Sequence, residues 1–115
     1  MAISEFEIKR CEKLVGDYIK ENRPPAHIRN QLDIGYRIND QSIEIFEIRP
    51  LWNNPDKKIE EMQAKTTYVK KTKKWKVYWM RADLKWHSYQ PMPEVNSLEE
   101  FLALLDKDEH HCFKG

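Results

Sequence analysis

Two capping boxes stand near the ends of this chain, Ser4 with Glu7 and Ser97 with Glu100, and the apolar residues between them fall into five short segments of strand-like spacing. A helix entered through each box leaves the middle of the chain to a sheet whose strands follow one another through short turns. That pattern admits few architectures. It predicts an α+β domain: a five-stranded antiparallel, meander-like sheet with an N-terminal and a C-terminal helix packed on it.

The first helix should begin at Glu5, with Ile3 and Ile8 placed as a hydrophobic staple around the box. Its stripe runs Ile8, Cys11, Leu14, Val15, Tyr18, Ile19, one face of a 3.6-residue period. Arg23-Pro24-Pro25 ends it, because a proline disfavours helical geometry at the residue before it. Leu32, Ile34, Tyr36 and Ile38 then alternate with polar neighbours, Asn39-Asp40 marks a turn, and Ile43, Ile45, Phe46, Ile48 return. The alternation slips one residue between Ile45 and Phe46. A β-bulge or burial on both faces of the strand accounts equally for the slip.

Strands are expected over Arg29 to Asn39, Gln41 to Arg49, Ile59 to Lys71, Lys74 to Arg81 and Lys85 to Tyr89. Between the second and third, Arg49 to Lys58 holds Pro50, Asn53, Asn54 and Pro55 and is expected to be irregular. Trp52 within it needs burial, so the loop is expected to fold back over the sheet. Pro91 and Pro93 should end ladder pairing after the fifth strand. Leu98, Phe101, Leu102, Leu104 and Leu105 form the stripe of the closing helix, and residues 105–115 read as a C-terminal tail.

At 115 residues the chain is expected to be one domain, 1–115, with a single core. Cys11 and Cys112 lie near opposite ends with no paired framework, which suits free thiols in a reducing compartment. The N-terminus shows no basic region followed by an apolar one, and no apolar run approaches the roughly 20 residues of a membrane span. A cytoplasmic protein with no membrane attachment is the expectation.

The formal charge is +1, so any electrostatic attraction must come from uneven placement. Residues 1–64 carry 10 Lys/Arg against 12 Asp/Glu, residues 65–86 carry 8 against 1, and residues 87–115 carry 2 against 6. The basic segment also threads Tyr68, Trp75, Tyr78, Trp79 and Trp86 among its cations. Cations beside flat aromatic faces suit stacked bases and phosphates, and equally an acidic protein surface. The candidate binding surface is therefore Tyr68, Lys70, Lys74, Lys76, Tyr78, Arg81, Trp86 and His87. Against it stands plain packing: Trp75, Val77 and Trp79 fall at period two and would face the core while lysines solvate the other side. Tyr78 and Met80 have the opposite parity, so something must cover or use that second face.

Enzymatic signals are thin. Gly16, Gly35 and Gly115 are the only glycines, which excludes a phosphate-cradling loop and a dinucleotide fingerprint. None of Ser4, Ser42, Ser88 and Ser97 sits in a nucleophile elbow. The alternative to a binding surface is a sheet-face pocket of Glu47, Arg49, Arg81 and His87, residues that cross-strand ion pairing also explains. His110-His111-Cys112 has soft-ligand chemistry, but adjacent ligands rarely close one tetrahedral site, and no metal or cofactor is assigned.

One further signal is a resemblance. Arg23-Pro24-Pro25, His27-Ile28-Arg29, Gly35-Tyr36, Phe46-Glu47-Ile48-Arg49-Pro50, Tyr68-Val69, Trp75-Lys76-Val77-Tyr78-Trp79 and Arg81-Ala82-Asp83-Leu84-Lys85-Trp86-His87 resemble a bacterial family catalogued as domain of unknown function 3024. The likeness covers nearly the whole chain and departs at the end, where Lys114 stands between Phe113 and Gly115. It implies the compartment and brings no activity, cofactor or catalytic residue.

Overall fold

A computed structural model describes residues 5–107. The first helix, α1, spans Glu5–Asn22, Glu5 being the first residue described, and Ser4 of its box, like His110, His111 and Cys112, lies outside the described residues. Asn22 Nδ2 donates to Tyr18 O at 2.8 Å, satisfying a carbonyl the helix end would otherwise leave open. Arg23 then clamps Asp33 with two parallel bonds of 2.8 Å, tying the helix exit to the first strand.

The strands are β1 (Asp33–Asn39), β2 (Ser42–Leu51), β3 (Asn54–Val69), β4 (Lys74–Met80), β5 (Trp86–Ser88) and β6 (Glu94–Val95), followed by α2 (Leu98–Lys107). The sheet runs β1-β2-β3-β4-β5 with every pairing antiparallel, the meander the sequence predicts. The second box forms in altered shape: Glu100 N donates to the cap, Ser97 Oγ, at 3.2 Å, while Glu100 Oε2 accepts from Asn96 N, one residue before the cap, at 3.0 Å.

Three expectations need correction. Arg49 to Lys58 does not fold back over the sheet: β2 and β3 continue as a two-stranded arm with Pro50 opposite Lys58 and Leu51 opposite Asn54. Trp52 caps its tip, 90% exposed. Pairing does not end at Pro91 and Pro93 either, since Pro93 O accepts from Val77 N at 2.9 Å and β6 rejoins the edge of β4 beside β5. The excursion between β5 and β6 places Tyr89 in the core, 1% exposed. Finally, α2 runs through Lys107 with Leu105 buried, so residues 105–107 belong to the helix, and residues 108–115 are outside the described part.

The core lies on one side of the sheet. Ile43, Ile45, Ala64, Trp75 and Val77 pack there with Cys11 and Val15 of α1 and Leu98, Phe101 and Leu105 of α2. Thr66, fully buried among them, donates its hydroxyl to Lys76 O at 2.8 Å, so no polar atom is stranded. The slip at Ile45/Phe46 proves to be both things at once. Ile45 pairs with Ala64 and Phe46 with Met62, leaving Gln63 as the extra residue of a bulge on β3. Against β1 the register stays regular, so Ile45 and Phe46 point to opposite faces, and each is nearly inaccessible at 2% and 4%.

Candidate functional site

Strand parity sorts the candidate residues onto two faces. Cross-strand partners run Arg37, Glu44, Lys65, Tyr78, Ser88 along one row, and Ser42, Thr67, Lys76, Glu94 along the next. These rows have the parity opposite to the core residues, and among the described residues no helix covers them. Met80 and its partner Trp86 share this face.

Lys65 organises it. Its Nζ lies 5.6 Å from the Tyr78 ring centroid and 5.7 Å from that of Trp86, over two half-buried aromatic rings. A cation–π contact at a surface contributes only about 0.5–1 kcal/mol, so a competing anion or planar group can displace the ammonium. Lys74 and Lys76 stand exposed on the same face, and Lys70, Lys71 and Lys73 are exposed in the β3–β4 turn. Lys73 adopts a left-handed φ of 57° there and its N–H bonds to Val69 O at 2.8 Å, which turns the chain tightly enough to crowd the lysines together.

Arg37 differs from these lysines. It sits 5.1 Å above the Phe46 ring and is bound to Glu60 at 2.9 Å, with Glu44 at 3.9 Å. Its charge is neutralised locally, so the basic character of the face lies toward β3 and β4.

The remaining candidates are elsewhere. Tyr68 stacks obliquely on buried Trp75 at 5.1 Å, on the helix side. Arg81 covers Trp79 at 5.5 Å, also on that side. His87 pairs with Trp79 in register and bonds through Nε2 to Asp83 Oδ2 at 2.8 Å. That bond, with further help from the Lys85 N–H and the charge of Arg81, holds the Asp83 carboxyl below its ordinary range.

The alternative pocket divides into two groups. Glu47 binds Arg49 at 2.7 Å, with Glu61 3.5 Å from Arg49, on the β2–β3 arm; Arg81 and His87 flank Asp83 at the β4–β5 turn. In the strand order β3 lies between them. The hollow that Glu47 does line, with Tyr18, Asn22 and Ile34, is about 170 Å³ and contains none of the other three. Ligand sites usually enclose about 300 Å³ or more. Among the described residues no three His, Cys, Asp or Glu side chains gather to hold a metal ion, and no helix is long and apolar enough to cross a membrane.

Sequence reasoning placed Lys65 in the basic segment but not in the site. A signal existed: a short turn after Val69 sets Tyr68 opposite Trp75, which puts Lys65 opposite Tyr78.

The molecule is thus an α+β protein whose two helices close one face of an antiparallel meander and leave a basic, aromatic face open. It belongs to the family described as Domain of unknown function (DUF3024), which matches residues 3–115. No curated protein and no solved structure matches the chain.

Proposed function

We propose that the open face binds single-stranded nucleic acid and that the protein is a cytoplasmic, non-enzymatic binding module. The observation that carries this reading is Lys65 lying over Tyr78 and Trp86 on a helix-free face beside Lys74 and Lys76. Every base has a π-face, so two aromatic rings flanked by cations accept successive nucleotides without demanding a sequence. The local excess of 8 basic over 1 acidic residue supplies the attraction for phosphates that the whole-molecule charge of +1 does not. The Glu47–Arg49 ion pair and the Asp83–His87 hydrogen bond are read as contacts that hold arm and turn in register.

Fluorescence anisotropy of a labelled single-stranded octamer tests the proposal. With Lys65, Lys74 and Lys76 each neutralising one phosphate, log K should fall against log salt with a slope of about −2. Reversing charge with Lys74→Glu and Lys76→Glu should weaken binding and flatten that slope toward about −0.7. No binding at low salt, or binding indifferent to the reversal, overturns the proposal and leaves an acidic protein surface as the partner to seek.

A further inference from the structure

At the β1–β2 end of the same face lies a hollow of about 340 Å³ lined by residues with polar side chains, among them Asn39, Asp40, Ser42, Glu44, Lys65 and Thr67. That volume falls within the range of ligand sites, unlike the hollow beside Glu47. Lys65 belongs both to this wall and to the aromatic pair, and Glu44, Lys65 and Tyr78 are consecutive register partners on β2, β3 and β4. Neighbouring strands lie about 4.8 Å apart, so the hollow, bounded by Lys65 on β3, begins one strand away from Tyr78 on β4. A strand stacked on Tyr78 or Trp86 and held at a phosphate by Lys65 would present a neighbouring base to it.

We infer that this hollow takes a guanine base, read along its Watson–Crick edge by the Glu44 carboxylate. The inference rests on the single-strand reading above. The Glu44 side chain is 21% exposed, and Arg37 Nη1 stands 3.9 Å from its Oε1, beyond hydrogen-bond distance. An ionised carboxylate only accepts, and its two oxygens want two donors side by side. Guanine offers that pair in N1–H and the N2 amino group. Adenine and cytosine set a ring nitrogen acceptor beside their amino donor, and uracil flanks its single N–H with two carbonyls, so each turns a lone pair toward the negative charge.

The hydroxyls add a complementary element. Ser42 Oγ and Thr67 Oγ1 are 2.8 Å apart, and whichever donates, the other hydroxyl keeps its hydrogen for an acceptor such as guanine O6 or N7. Bases of single strands are read on both of these edges. Lysine at the rim then leaves the carboxylate accessible while screening the approach of the phosphate chain.

The test uses anisotropy with fluorescein-labelled uridine octamers carrying one central guanosine, adenosine, cytidine or inosine, at low salt. The guanosine octamer should bind about 5- to 150-fold more tightly than the all-uridine strand, as a bidentate contact discriminates. Inosine, which lacks the amino group, should fall between them. Glu44→Gln, nearly isosteric, should remove the preference for guanosine and leave all-uridine affinity within about 2-fold, with an unchanged thermal midpoint confirming the fold. Equal binding of all strands by the native protein, or a preference that survives Glu44→Gln, overturns the guanine inference alone. Failure of every strand to bind overturns the single-strand reading itself.

Discussion

Replacing Gly35 by alanine probes how the open face is built. Gly35 lies opposite Phe46 in the β1–β2 ladder, and a methyl group there would meet Phe46 Cε1 at 3.0 Å, Phe46 Cζ at 3.3 Å and Ile48 Cδ1 at 3.4 Å. Ordinary contact begins near 3.4 Å, so the ring must move by several tenths of an ångström. It has little freedom to do so, being 4% exposed and roofed by Arg37 at 5.1 Å. Overpacking of this kind costs about 1–3 kcal/mol, while alanine recovers about 0.4–1 kcal/mol by restricting the unfolded chain. A net loss of up to about 2.5 kcal/mol follows. Urea unfolding followed by tryptophan fluorescence should show a lower midpoint at unchanged slope. In a Phe46→Leu background the ring edge is gone, and Gly35→Ala should become neutral or stabilising by up to about 1 kcal/mol. If the alanine is tolerated in the native background, or costs the same in both, the close approach of Phe46 is not what keeps residue 35 a glycine.

Three further outcomes are expected. Ser97→Ala should lower stability by about 1 kcal/mol in urea titration, because Glu100 N loses its cap and α2 carries Phe101 and Leu105 into the core. The Arg23 hydrogen bonds depress the Asp33 carboxyl below the ordinary aspartate value of 3.8, so this pair stabilises the fold above that pH and the contribution is lost as pH falls through the lower folded value; Arg23→Ala should flatten the loss of urea midpoint between pH 5 and pH 2.5. Trp86→Ala should weaken single-strand binding by about 1–3 kcal/mol in the anisotropy assay while leaving its salt slope intact, since it removes stacking and no charge.

The elements governed by local periodicity could be read from the sequence. The stripe from Ile8 to Ile19, the stripe of α2 and the order of the five main strands all appear as expected, because one-sided burial writes a period into the residues. The β2–β3 arm could not be read this way. Its prolines and asparagines signal irregular chain, yet β1 reaches only as far as Ile48, and past that point β2 has a single neighbour and tolerates Pro50. β6 escaped for a related reason, since two residues between Pro93 and the cap of α2 carry no period at all. In the site, residue types were legible and faces were not: Tyr68 and Lys65, three positions apart on one strand, fall on opposite sides, and only the pairing with β4 shows which side is open.

The order in which contacts close has a consequence for the nascent chain. Every main strand pairs with its neighbour in sequence, so the sheet grows through short loop closures that are fast and cost little entropy. The two helices meet across almost the full length: Arg10 Nη2 binds Glu99 Oε2 at 2.8 Å, 89 positions away. During synthesis α1 is made first and waits for α2 through the making of the whole meander. Cys11 is fully enclosed in the finished core, in one cluster with Leu98, Phe101 and Leu105 of α2, and burial pushes its thiol up. Alkylation of that thiol is therefore expected to report opening of the core, slow in the folded domain and fast once the helices separate from the sheet.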